Sequence, residues 1–412
     1  MYDFVVLGEW LEFAARWLHV ITAIAWIGSS FYFIALDLGL HRDRNLASGA
    51  DGEEWQVHGG GFYHIQKYLV APASMPDDLV WFKWESYATW LSGFAMLVIV
   101  YYLGADIYLI DPEVADLATW QAVLISLGSL GFGWLAYDAI CKSRFGEDNT
   151  RLMVFLYLVL VVMAWGYTQV FTGRAALLHL GAFTATIMSA NVFMVIIPNQ
   201  KVVVADLIAG RTPDPKYGKI AKQRSTHNNY LTLPVLFLML SNHYPLAFAT
   251  EYNWIIASLV FLMGVTIRHY FNTVHARKGQ PNWTWAATAI LFIVIAWLSV
   301  AGRPDPSEET AELNGAALRF ASAEGFDEVQ DIVLGRCSMC HAEEPVFGGF
   351  HWAPKGVKLE TTAQIAAEAR RIYVQAGLSH AMPPANLSYM EPAERDAIVR
   401  WFRAAQTGGG DT

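Results

Sequence analysis

Long apolar segments recur along residues 1–302, and a chain built this way has few folds open to it besides a bundle of helices in a bilayer. They lie near 11–36, 86–104, 120–138, 152–173, 175–197, 230–244, 253–275 and 284–302. A hydrocarbon core of about 30 Å takes about 20 helical residues, so the pattern predicts about eight transmembrane helices. The sixth segment, YLTLPVLFLMLSNHYP, is short and holds Pro234, and a kinked or partly buried helix suits it as well as a simple span. Composition agrees, with 54% hydrophobic and only 16% charged residues.

Charge in the loops is one-sided. Arg42, Arg44, Lys67 and Lys83 follow the first segment, Lys142, Arg144 and Arg151 the third, and Arg268, Arg277 and Lys278 the seventh. Lys201, Arg211, Lys216, Lys219, Lys222 and Arg224 follow the fifth, whereas the loops 104–119 and 241–253 carry no Lys or Arg. Basic loops stay in the cytoplasm, which puts both termini outside, as an even number of helices requires. The first apolar run exceeds a leader's and lacks a small-residue cleavage site, so it reads as an anchor. The net charge of −9 reflects acidic residues crowded after Arg303 and gives no support to nucleic-acid binding.

After the membrane domain of residues 1–302, RPDPSEETAEL at 303–313 is too polar and proline-rich to bury apolar surface and reads as a linker. Residues 314–406 form a small soluble domain, helical at both ends, and a structureless tail is expected at 407–412. This domain holds Cys337-Ser338-Met339-Cys340-His341. Two thiols at this spacing add to haem vinyl groups while the adjoining histidine ligates iron, so Cys337, Cys340 and His341 predict covalent haem c. A dithiol redox site wants a βαβ setting and a zinc site wants two further ligands, neither of which is evident nearby. Met382, held before Pro383 and Pro384, is the expected second axial ligand, with His380 its competitor. The whole reads as all-α: a polytopic bundle followed by a small helical cytochrome of the class I c type. Cys141 remains as a free thiol. Covalent haem attachment in bacteria takes place outside the cytoplasm, the side on which loop charge independently puts the C-terminus, so the chain is expected in the bacterial inner membrane with periplasmic termini.

Ionisable groups within spans are costly and are functional candidates for that reason. His19, His179 and His243 fall toward the outer side, and His58, His64, His227, His269 and His275 toward the cytoplasmic side. Histidines on facing helices can ligate haem b, with His19 and His179 an outer pair and His243 and His269 further candidates; a histidine that only hydrogen-bonds across the bundle is the other reading. The first cytoplasmic loop, Trp55 to Tyr68, mixes aromatic, glycine and polar residues. That suits a flat polar ligand, and equally an aromatic interfacial loop.

RWLHVITAIAWIGSSFYFIALD, STHNNYLTLPVLFLMLSNHYP and the terminal C-x-x-C-H together resemble the bacterial membrane-bound, cytochrome c-linked urate oxidases, over almost the whole chain. The resemblance implies hydroxylation of urate to 5-hydroxyisourate in purine catabolism, without hydrogen peroxide. Electrons would pass through haem c to a soluble cytochrome c or a terminal oxidase of the respiratory chain. The residues themselves nominate substrate-site candidates: His64, Gln66 and Lys67 in the first loop, and Arg224, His227, Asn228 and Asn229 at the sixth span. Each has a structural alternative, since Arg224 also obeys the positive-inside rule and the two asparagines could cap a helix. Two other functions stay open: an electron-transfer subunit of a respiratory complex, and a quinol-oxidising membrane dehydrogenase.

Overall fold

The computed structural model describes residues 4–68, 76, 78–112, 114–301, 313, 315–348 and 352–407. Each of the eight apolar segments falls on a helix. They are α1 (Phe4–Gly39), α2 (Trp84–Met96, running on as a π-helix over Leu97–Tyr102), α3 (Thr119–Lys142) and α4 (Asn149–Thr168). Then come α5 (Gly173–Ala190), which passes through a π-helical stretch Asn191–Ile196 into α6 (Ile197–Ile208), α7 (Pro215–Ser241), α8 (Asn253–His275) and α9 (Trp283–Leu298). Local chemistry sets several starts. Asp148 accepts from the Arg151 amide at α4 and Thr172 from the Ala175 amide at α5, while Asp214 caps α7 just before Pro215.

Among the described residues, five helical stretches are long and apolar enough to cross a membrane: Val6–Gly39, Thr119–Lys142, Asn149–Thr168, Gly173–Ile208 and Asn253–His275; Trp283–Leu298 is apolar but shorter. The α7 helix fails on polarity, for a packing reason. The expected span at 230–244 is the C-terminal part of a 27-residue helix, whose preceding turns bury Arg224, His227, Asn228 and Asn229. It packs against α1, α5, α6 and α8, and a helix shielded from lipid by its neighbours can carry a polar belt. A Cβ on Gly264 of α8 would lie 2.6 Å from Cδ of Pro234, so glycine there lets the two helices close around the proline ring. Outward faces instead show Trp17, Leu124, Phe132, Val162 and Phe292, a surface suited to lipid.

The first loop departs from the all-α expectation. It folds as an antiparallel hairpin of β1 (Ala50–His58) and β2 (Gly61–Tyr68), with His58 opposite Gly61 and Trp55 opposite His64. Gly59 and Gly60 take φ of 58° and 81°, the two successive positive values that a tight hairpin turn demands.

The C-terminal unit buries Phe320, Phe326, Val329, Tyr373, Ile398, Trp401 and Phe402 in a core of its own. The Trp401 indole donates to the Phe320 carbonyl at 2.9 Å, fastening the first helix of this unit, Gly315–Ala321, to the last, Pro392–Thr407. That last helix runs one residue past the expected boundary at 406. The linker expected at 303–313 lies outside the described residues except for Leu313, and the tail does so from 408. Arg370 Nη2 meets Glu9 Oε1 at 2.7 Å, the Arg371 guanidinium lies 6.0 Å from the Tyr108 ring centre, and Gly356 abuts Pro245. The C-terminal unit therefore sits at the end of the bundle where the loops are poor in Lys and Arg, and the hairpin lies at the other end.

Candidate functional site

The polar belt of α7 points in two directions. Arg224, 1% exposed, donates from Nη2 to Asp138 Oδ1 at 2.8 Å and from Nη1 to Asn191 Oδ1 at 3.3 Å, its guanidinium 4.8 Å from the Tyr137 ring centre. His227 Nδ1 lies 2.8 Å from Tyr137 Oη. The Asn191 amide donates to Tyr137 Oη and to Asn228 Oδ1, and Asn228 Nδ2 donates to the Met188 carbonyl. Three of the residues nominated from sequence, Arg224, His227 and Asn228, thus join one buried network that ties α7 to α3 and to the π-helical stretch after α5. Buried polar groups need such partners, and π-helical turns recur at functional sites.

Asn229 faces the other way, toward α8. Its Oδ1 accepts from Arg268 Nε at 3.4 Å and from Asn272 Nδ2 at 2.9 Å, while Arg268 Nη2 donates to Asn272 Oδ1 at 3.0 Å. The Arg268 guanidinium lies 4.2 Å from the ring centre of Phe31 on α1. Arg268 is only 5% exposed. Where Arg224 has Asp138, Arg268 has amide oxygens and forms no ion pair among the described residues. Beside it the Asn229 Nδ2 donor is buried without a partner, as are Arg224 Nε and His227 Nε2 in the neighbouring network. A buried cation with spare donors around it has the chemistry to receive an anion.

A cavity of about 270 Å³ opens at the hairpin end, lined by Tyr32, Ala35 and Leu36 of α1, Glu54 and Gln56 of β1, and His275 and Arg277. Tyr32 donates to Gln56 Oε1 at 2.6 Å, and the buried His275 Nδ1 has no partner. Arg268, Asn272 and His275 are spaced by four and three residues and share a helix face. Arg268 lies about 10 Å along α8 from His275 at this mouth.

The hairpin candidates serve the hairpin itself. His64 Nε2 bonds Glu53 Oε2 at 2.8 Å and its ring stacks on Trp55 with centres 4.2 Å apart. That hydrogen bond, more than any neighbouring charge, holds the Glu53 carboxyl below its ordinary range. Gln66 accepts from Tyr68 at 2.9 Å, and Lys67 pairs with Asp37 of α1, which also meets Lys222 of α7 at 3.6 Å. None of the three reaches the α7 belt through these bonds. Arg268, Asn272 and Phe31 escaped the sequence reading because Arg268 was counted only as a loop charge; the Arg268-Asn272-His275 spacing was the available signal.

Of the histidines nominated for haem b, His179 is the one with both ring nitrogens hydrogen-bonded among the described residues. His179 spends both nitrogens, Nδ1 on the Ala175 carbonyl and Nε2 on Ser126 Oγ, each at 2.8 Å. His19 Nδ1 lies 3.0 Å from the Thr89 carbonyl, and His243 Nε2 lies 3.4 Å from Arg16 Nη1. His269 packs against Trp283 with ring centres 6.1 Å apart.

In the C-terminal unit, Cys337 closes the helix Phe326–Arg336, and Cys340 and His341 lie in the turn that follows. His341 Nδ1 donates to the Val357 carbonyl at 2.8 Å, which leaves Nε2 with the lone pair a metal needs. Burial first, then neighbouring Cys340, pushes the Cys337 thiol up to about 12, whereas a dithiol redox site needs a thiolate near neutrality. Met382 packs against the same core as Cys337, while His380 is exposed. The Met382 backbone is held at both ends, its amide donating to the Gln375 carbonyl and its carbonyl accepting from Arg395 Nη1, each at 2.9 Å.

No curated protein and no solved structure matches the chain. The family model described as urate oxidase N-terminal matches residues 5–299, the stretch that contains the hairpin, the α7 belt and Arg268. By that match over most of its length, the chain belongs to the urate oxidase N-terminal family.

Proposed function

We propose that this protein is a membrane-bound oxidoreductase that hydroxylates urate to 5-hydroxyisourate and passes the electrons to a haem c in its C-terminal unit. The observation that carries the reading is Arg268, a buried guanidinium without a carboxylate partner among the described residues, in a chain whose family is that of urate oxidases. Urate at neutral pH is a flat anion with carbonyl and N–H groups around its edge. Arg268 supplies charge and paired donors, Asn229 Nδ2 a further donor, and the Asn272 amide lies beside them. Substrate enters at the hairpin end, which loop charge assigns to the cytoplasm, and all eight helical segments make up the membrane bundle.

The reaction takes urate and water to 5-hydroxyisourate with release of two electrons and two protons. A cationic site favours the electron-rich anion from which electrons leave, and the surrounding helices exclude bulk water. His275, with Nδ1 unpartnered at the mouth, offers a ring nitrogen that takes up a proton on its way out. In the C-terminal unit Cys337 and Cys340 would hold the haem covalently and His341 and Met382 would ligate its iron, and the bound group would supply one-electron acceptance. The contacts of Arg370 and Arg371 with Glu9 and Tyr108 keep that unit against the bundle. A soluble cytochrome c or a terminal oxidase then collects the electrons on the periplasmic side.

The test is an anaerobic visible spectrum of the detergent-solubilised protein before and after urate, with a pyridine haemochrome count of haem types. Reduction of the c-type band by urate, lost in Arg268→Gln although dithionite still reduces that variant, is the expected result. A chemically reducible haem c that urate leaves oxidised overturns the reading.

A further inference from the structure

A second cavity, of about 230 Å³, lies inside the bundle between α3, α4, α5, α7 and α8. Its wall is almost wholly apolar, with Phe132, Leu156, Leu160, Phe183 and Phe261 prominent, and it reaches the lipid-facing surface where Phe132 is 73% exposed. The polar side chains on the wall are mostly spent within the protein. Ser129 bonds Tyr167, Thr184 donates to the Leu180 carbonyl, and Tyr157 donates to the Ser258 carbonyl. His227, 2% exposed, is different: its Nε2 is buried without a partner. With Tyr137 Oη, which accepts from Asn191, giving its proton to His227 Nδ1, the proton of the neutral ring sits on Nε2. The cavity therefore offers the His227 Nε2 donor, with the Tyr230 hydroxyl also on its lining, at a mostly apolar wall that opens toward the bilayer.

We propose that this cavity binds the ring of a membrane quinone, with one carbonyl oxygen accepting from His227 Nε2 and the isoprenoid tail leaving past Phe132 into the lipid. The volume falls below the usual 300–1,000 Å³ of small-molecule sites, which restricts the occupant to a compact ring and the start of a tail. An acyl chain fits the apolar wall but leaves the Nε2 donor unsatisfied, at the free-energy cost of a buried unmade hydrogen bond. A quinone carbonyl satisfies it. This site is separate from Arg268 and stands whether or not urate is the substrate.

The experiment is equilibrium binding of decylubiquinone to the delipidated full-length protein in detergent micelles, with decanoate as competitor. Saturable binding is expected, about tenfold weaker in His227→Leu and partly restored in His227→Gln, which keeps a donor. Tenfold corresponds to about 1.4 kcal/mol, the scale of one hydrogen bond. Ala136→Phe, on the cavity wall, is expected to fill the cavity and abolish binding while leaving haem c reduction by urate in place; it decides the matter if the His227 variants fail to fold. Decanoate competing as well as the quinone, or binding indifferent to Ala136→Phe, overturns the proposal.

Discussion

The guanidinium of Arg268 lies 4.2 Å from the ring centre of Phe31, so a buried charge on one helix is steadied by an aromatic face on another and left without a neutralising carboxylate among the described residues. Arg268→Gln is expected to raise the urate concentration for half-maximal rate at least tenfold, since a charge-assisted hydrogen bond contributes about 1.5–3 kcal/mol. Arg268→Lys is expected to recover little, because a compact ammonium loses both the planar fork and the stacking on Phe31. Steady-state kinetics with a cytochrome c acceptor decide it, and unchanged half-saturation in both variants would sink the assignment.

Arg224 should behave in the opposite way. It is paired with Asp138, so Arg224→Gln strips a partner from a carboxylate that is only 18% exposed. Losing one member of a buried pair costs about 3–5 kcal/mol, and Lys142 at 2.5 Å from Asp138 offsets part of that. The expected signature is a lower Tm in detergent with half-saturation for urate nearly unchanged in the folded fraction. A wild-type Tm would show that the pair contributes nothing to stability.

Met/His ligation raises a haem potential relative to two histidines. Met382→His is therefore expected to lower the midpoint potential of the C-terminal haem and to slow its reduction by urate. Arg395→Gln, which removes the donor to the Met382 carbonyl, should loosen the Met382 ligand and shift the potential in the same direction. Spectroelectrochemical titration checks both, and a potential indifferent to Met382→His would remove Met382 from the iron.

Hairpin tethering carries a defined pH sign. The His64 hydrogen bond holds the Glu53 carboxyl below its ordinary range, so its contribution is complete above the ordinary glutamate value of about 4.3 and is lost only as pH falls through the lowered one. Limited proteolysis of residues 50–68 is expected to be equal at pH 7 and pH 5 for the Glu53 contribution, and to accelerate below about pH 4. Glu53→Gln should be cleaved faster than wild type already at pH 7. Equal cleavage of the two proteins at pH 7 would show that the bond does not secure the hairpin.

Packing at the α7 kink gives a fold-level prediction. A side chain on Gly264 meets the rigid Pro234 ring within van der Waals distance, so Gly264→Val should force α7 and α8 apart and cost at least about 1–3 kcal/mol. Thermal unfolding of the purified protein reads this. An unaltered Tm would mean the two helices slide apart freely at this point.

Sequence by itself determined the parts of this protein that depend on contiguous residues. Eight apolar runs found eight helices because a helix needs only local hydrogen bonds, and the structure sets Cys337, Cys340 and His341 of the C-x-x-C-H motif in one turn because they are adjacent in the chain. The turn at Gly59-Gly60 is equally local, and two glycines between alternating segments are a hairpin signal, whereas the composition of Trp55 to Tyr68 points only to a ligand-binding or interfacial loop. What only the tertiary structure decided concerns charge and its neighbours. Arg224 and Arg268 are indistinguishable as basic residues at helix ends, and nothing along the chain says that one finds Asp138, 86 positions away, while the other finds the amides of Asn229 and Asn272 and the face of Phe31. The cost of burying a charge depends on which helices close around it, so packing separates an arginine paired with a carboxylate from one held by amide oxygens alone among the described residues.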